Sequence, residues 1–208
     1  MNDIKWILFN APKRSGKDVG ADHLAMSSME SEYSYRIGFA WPLKSMCHQM
    51  LGIDPHCHAY DSEKDSMEVR IGPHLMSLRQ FYIHYSENLK ILYGKDVWSE
   101  ILFNSVQHHF GKFCMECSEK QKFVIISDLG FVSEIEYLSK KVKPENILVI
   151  RVHREGCNYE GDSRNFISDY MMPEGVRQCD IYNNHTLEDY FKTLDQVKVG
   201  FLNNKELV

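Results

Sequence analysis

The chain has 208 residues, a formal charge of −5 and 43% hydrophobic residues, enough for one substantial domain with inserted lobes. That mild acidity speaks against general nucleic-acid binding, which calls for a basic face. No apolar run approaches the ~20 residues of a membrane span, and the start Met-Asn-Asp-Ile-Lys lacks a basic stretch followed by an apolar one, so no membrane attachment or export and a cytoplasmic location are expected.

Taken in order, the first element predicted is a strand over Lys5 to Phe9, an apolar run. A helix is expected from Lys17 to about Met29, a short strand around Tyr35 to Gly38, and a helix from Pro42 to Leu51. Gly52 to Asp65 breaks the alternation, being rich in His, Asp, Ser and Pro. It leads into long helical stretches over Leu75 to Tyr93 and Asp96 to about His109, which together read as an inserted helical lobe. Phe123 to Asp128 and Asn146 to Val152 are nearly continuous apolar strands, the form taken by strands buried on both faces of a parallel sheet. The amphipathic stretches Val132 to Lys141 and Leu187 to Val197 are predicted to cover that sheet. Arg154 to Gly175, with Gly156, Gly161 and Pro173 among few apolar residues, reads as a mobile loop or lid.

Between the first strand and the first helix lies Ala11-Pro12-Lys13-Arg14-Ser15-Gly16-Lys17-Asp18. A strand, a small-residue basic turn and a helix form a phosphate grip: backbone N–H groups converge, the helix dipole adds to them, and a lysine supplies a point charge. The Walker A pattern G-x-x-x-x-G-K-[ST] is matched except at its ends, where Ala11 replaces the first glycine and Asp18 the metal-ligating hydroxyl. The competing reading is a basic surface turn before an ordinary helix. Asp128, ending a predicted parallel strand, stands where open α/β sheets bind ligands, or else caps the next helix. Six scattered cysteines are expected to be reduced thiols; Cys114-Met-Glu-Cys117, with His56, His58, His108 and His109, offers an alternative zinc set, and Asn184-His185-Thr186 reads as a chance sequon.

These residues resemble the phage-type deoxynucleoside monophosphate kinases, over nearly the whole chain. The segment Lys13-Arg14-Ser15-Gly16-Lys17-Asp18 carries most of the likeness, Asp18 being normal in that family. Phe39-Ala40-Trp41-Pro42-Leu43-Lys44 is similar to its Phe-Ala-x-Pro-Leu-Lys segment. Leu78-Arg79-Gln80 with Tyr93-Gly94-Lys95-Asp96-Val97-Trp98 resembles its substrate lobe, Asp128 with Phe131 and Glu134 its Asp-x-Arg-Phe-x-x-Glu segment, and Cys179 to Leu187 its closing Asp-x-x-x-Asn element. Gly130 stands where the family usually has the arginine, so that basic contact must come from elsewhere, and the family's Gly-Thr pair is not evident near Tyr85-Ser86-Glu87.

The resemblance implies a three-layer α/β/α P-loop fold with a mostly parallel sheet: core about 1–51 and 120–208, helical acceptor lobe about 52–119 and lid about 154–175. It implies transfer of the ATP γ-phosphate to a deoxynucleoside monophosphate for phage-type DNA synthesis, in the host cytoplasm if phage-encoded, with a homodimer left open. Ala11 to Asp18 and Asn183 would bind ATP, Lys17 bridging β- and γ-phosphates and Arg14 flanking the adenine. Mg²⁺ would be held near Asp18 and Asp128, directly or through water. Arg151, Arg154 and Arg164 would close over the transferring phosphate as arginine fingers do. Lys44, Arg70, Arg79 and Trp98 are the acceptor-side candidates, and the aromatics Phe81, Tyr82, Tyr85 and Tyr93 offer either a stacking surface for the base or simply lobe core. The alternatives are a P-loop kinase for another small acceptor, such as dephospho-coenzyme A or a small hydroxy acid, and a degenerate nucleotide-binding or interaction protein.

Overall fold

The computed structural model describes residues 4–27, 30–54, 60, 63–113 and 119–205. Along the chain run β1 (Ile4–Asn10), α1 (Lys17–Met26), β2 (Glu32–Ile37), α2 (Trp41–Leu51), β3 (Glu68–Ile71), β4 (His74–Ser77), α3 (Leu78–Tyr93) and α4 (Val97–His108). After a π-helical turn (His109–Phe113) come β5 (Gln121–Ile126), α5 (Val132–Lys141), β6 (Ile147–His153), β7 (Arg177–Tyr182) and α6 (Leu187–Leu202). No helix among the described residues is long and apolar enough to cross a membrane.

The chain divides into two compact units, 1–38 with 103–208, and 39–102. The first is an α/β unit on a five-stranded sheet of order β2-β5-β1-β6-β7, parallel at every pairing. Its strands are apolar on both sides because both sides are covered. On one face Ile7, Phe9, Phe123, Ile125, Leu148 and Ile150 meet Ala21 and Leu24 of α1 and the stripe Tyr190, Leu194, Val197, Phe201 of α6. On the other face the alternating residues Trp6 and Leu8 are equally buried, and Trp6 stacks on Phe103 at 6.1 Å. Each such side chain contributes about 1.5–3 kcal/mol on burial. The strand order reverses at β1: from β1 the chain crosses to the edge at β2, returns to β5 between them, and then crosses to β6 and β7 on the other side. In open α/β sheets the crevice at such a switch point is where ligands sit.

The second unit holds α2, the β3–β4 hairpin and α3 around Cys47, Val69, Leu78, Phe81 and Tyr82. Its boundary lies at Phe39 rather than 52, so α2 belongs to it and not to the core the sequence assigned. The hairpin also departs from expectation. Leu75 to Ser77 is strand rather than helix, because Gly72 adopts φ 56° and turns Ile71 back onto His74. α3 begins only at Leu78, where Ser77 Oγ accepts from the Gln80 amide at 3.2 Å and Gln80 Oε1 accepts from the Ser77 amide at 2.8 Å. β2 begins earlier than expected, at Glu32, and β7 is an additional strand. The 154–175 segment is irregular apart from a 3₁₀ turn (Asp169–Met171).

Candidate functional site

Loop 11–16 leaves the carboxyl end of β1, the central strand at the switch point. Ala11 and Pro12 are buried and Lys13 and Arg14 exposed; Ser15 donates to the Pro12 carbonyl at 2.9 Å through Oγ, which folds the loop back on itself. Arg14 (φ 68°) and Gly16 (φ 98°) both adopt left-handed conformations. Such turns aim successive N–H groups into one concavity, an anion nest. For arginine that conformation costs on the order of 1–3 kcal/mol, strain of the kind that persists at functional sites. Gly16 caps α1 without a side chain, so the first-turn N–H groups receive no side-chain acceptor from it. A Cβ on Gly16 would lie 2.4 Å from Asn183 Nδ2. Asn183 donates to the Ser15 carbonyl at 2.8 Å and Tyr190 to the Gly16 carbonyl at 3.3 Å, so loop carbonyls are held from behind. Asn183, expected beside the nucleotide, thus acts on the loop backbone. Lys17, with a side chain only 11% exposed, curls over the loop to the Pro12 carbonyl at 3.5 Å and Asp18 at 3.4 Å.

Two further strand ends converge here. Arg36, at the end of β2, uses one guanidinium nitrogen to reach both Asp18 Oδ1 at 3.4 Å and Ser127 Oγ at 3.5 Å, and its other to pair with Asp22. Asp128 follows Ser127 and packs its carboxylate against Gly38, where a Cβ would lie 2.8 Å from Asp128 Oδ2. Glu134, near the start of α5, accepts from the amides of Gly130 at 2.9 Å and Phe131 at 3.0 Å. Burial, and then the neighbouring Asp128 charge, push its carboxyl up to about 7 against these hydrogen bonds and the Arg164 charge. Among the described residues no three His, Cys, Asp or Glu side chains form a metal-ligand cluster. Mg²⁺ needs none, since it is commonly held by one or two carboxylates, water and substrate phosphates, and the carboxylates of Asp18 and Asp128 would be hard-oxygen donors of that kind.

Among the proposed clamp residues, Arg154 donates to the Arg14 carbonyl at 3.4 Å and so lies beside the loop. Arg164 forks onto Asp162 at 2.9 and 2.6 Å. Arg151 is placed differently from expectation. It pairs with Asp180 on β7 at 2.9 and 2.5 Å and with Asp169 at 2.5 Å, and also donates to the Ile167 carbonyl, so its donors tie β6, β7 and the 154–175 segment together. Burial alone would raise the Asp180 pKa, but Arg151 and His153 outweigh it and hold it below the usual range. These groups line a cleft of about 460 Å³ with Phe166 and Tyr182, in which the Arg151 guanidinium is shared between two carboxylates.

On the second unit, Arg79 pairs with Asp65, Nη2 to Oδ2 being 3.1 Å, and Arg70 is exposed on β3. Lys44 is half-buried on α2. Trp98 is 9% exposed with Nε1 donating to Ser86 Oγ at 2.8 Å, and Phe81 and Tyr82 are buried, so these three are lobe core rather than an open stacking surface. Tyr85 is half-buried and Tyr93 exposed. Cys114 and Cys117, with His56 and His58, lie outside the described residues. Sequence reasoning passed over Arg36, Asn10, Gly38 and Tyr190. Arg36 and Gly38 sit at the end of a predicted strand, the one signal that could have marked them. Compared with known proteins, the chain matches no family model and no curated sequence.

Proposed function

We propose that this protein is an ATP-dependent deoxynucleoside monophosphate kinase of P-loop type. The observation that carries the reading is loop 11–16: an uncapped helix start with two left-handed residues and a following lysine, at the switch point of a parallel sheet. Phosphoryl transfer asks for positioning and charge cancellation rather than covalent work. In this reading the loop amides cradle the β-phosphate, and Lys17 swings from the Pro12 carbonyl to the β- and γ-oxygens. Asp18 and Asp128 would hold Mg²⁺, directly or through water, and the ion would supply charge neutralisation on the donor phosphates. Arg154 and Arg164 offset the charge on the group in transit. The acceptor monophosphate is already ionised, so no general base is required. Arg79, Arg70 and Lys44 are the acceptor-side cations.

A second reading, a P-loop kinase for a different small acceptor, draws support from Arg79, whose fork is already engaged by Asp65, and from Trp98, whose ring is buried. A coupled ADP-release assay with Mg²⁺ across the four deoxynucleoside monophosphates, their ribo counterparts and dephospho-coenzyme A tests both. Turnover with at least one deoxynucleotide is expected. Turnover with dephospho-coenzyme A alone would establish the second reading, and ATP binding without any acceptor-dependent release would leave a nucleotide-binding protein.

A further inference from the structure

Gly130 has no backbone need to be glycine, since its φ lies outside the left-handed region. What excludes a side chain is Arg164: a Cβ at 130 would lie 2.5 Å from its Cδ and 2.8 Å from its Cγ. These are stem atoms, so an added methyl must displace the whole side chain. The guanidinium at the end of that stem is fixed by Asp162, whose Oδ1 also accepts the Arg164 backbone amide at 3.0 Å, and its charge acts on Asp128 and Glu134.

The segment bearing Arg164 is itself pinned. Asn10, fully buried at the end of β1, has Nδ2 3.2 Å from each of the Leu129 carbonyl, the Tyr159 hydroxyl and the Asn165 carbonyl, which share its two N–H groups, and accepts from the Ile167 amide at 2.9 Å. One carboxamide therefore joins the residue before Gly130 to positions on both sides of Arg164, directly next to the loop at 11–16. Satisfied buried polar networks of this kind rigidify what they connect.

We propose that Gly130 and Asn10 are positioning residues that seat Arg164 beside Asp128 before substrate arrives, so that 159–167 is a pre-assembled strap rather than a lid that orders on binding. The proposal rests on the phosphoryl-transfer reading. It assigns the cation acting on Asp128 and Glu134 to Arg164, admitted by the absence of a side chain at 130.

The test is a double-mutant cycle on the full chain with Gly130→Ala, Arg164→Ala and the pair. It is read by kcat and KM for ATP, by calorimetric binding of inorganic tripolyphosphate with Mg²⁺, and by thermal melts. Gly130→Ala and Arg164→Ala should each lower kcat about 100-fold, with a smaller effect on KM, and weaken tripolyphosphate about tenfold; the double variant should be no worse than Arg164→Ala. Asn10→Asp, which cannot donate to the two carbonyls, should lower kcat in the same direction, and Asn10→Gln should not restore it, because the longer side chain moves the amide. Additive losses, or Gly130→Ala with normal kcat and only a lowered Tm, would overturn the proposal, as would failure of the wild type to bind tripolyphosphate. If no acceptor supports ADP release, the kinase reading fails by itself, and the tripolyphosphate cycle still decides whether positions 130 and 164 act as one.

Discussion

At Gly16 two constraints coincide, a left-handed backbone and a contact distance that leaves no room for a methyl beside Asn183. Gly16→Ala should therefore cost about 1–2 kcal/mol for the backbone alone, with more from displacing Asn183, and a urea titration should place its midpoint clearly below that of the wild type. An unchanged midpoint would mean that the loop is not held in this conformation. Glu134 gives a pH signature. Its folded pKa of about 7 lies above the ordinary 4.5, so the folded protein keeps a proton that the unfolded chain loses between these values. This contribution to stability is complete below about pH 4.5 and is lost as pH rises through about 7. Glu134→Gln should abolish that part of the slope in Tm between pH 5 and pH 8; parallel curves for the two proteins would contradict the assignment.

The elements show what a sequence displays and what it hides. β1, β5 and β6 were legible because strands covered on both faces are continuous apolar runs, and α5 and α6 because one face repeats at helical spacing. β2 was seen only from Tyr35, since it opens with Glu32. That carboxylate is buried, and its partner Lys198 lies 2.6 Å away on α6, far along the chain. β7 reads as polar for a similar reason: Asp180 belongs to an ion-pair network with Arg151 that only the fold assembles. The β3–β4 hairpin was masked because its apolar residues run directly into those of α3. In the site, Ala11 to Asp18 and Asp128 were legible from local pattern, whereas Asn10, Arg36 and the Gly130–Arg164 contact join distant segments and leave no local trace. The Glu32–Lys198 pair invites a test of its own. Lys198→Met should destabilise by about 3–5 kcal/mol in urea, because a buried carboxylate loses its cation, while Glu32→Leu with Lys198→Met should recover most of that loss. Equal destabilisation by the single and double variants would show that the pair does not act as a unit.

Across the whole molecule, the proposed chemistry follows from where the sheet reverses. Loop 11–16, Arg36 and Asp128 come from the carboxyl ends of three neighbouring strands, β1, β2 and β5, and Arg154 follows the carboxyl end of β6. Within this unit the loop, a lysine, two carboxylates and arginines thus lie at one end of a parallel sheet, the arrangement on which the proposed phosphoryl-transfer reading rests. The most direct test compares acceptor-dependent ADP release by the wild type and Lys17→Ala, with circular dichroism confirming that both are folded. Lys17 anchors no core contact, so the variant should keep its Tm within a few degrees and lose at least 100-fold in kcat with deoxynucleoside monophosphate and ATP·Mg²⁺. A folded Lys17→Ala protein that turns over at near wild-type rate would contradict the claim that loop 11–16 and Lys17 grip the phosphates of ATP.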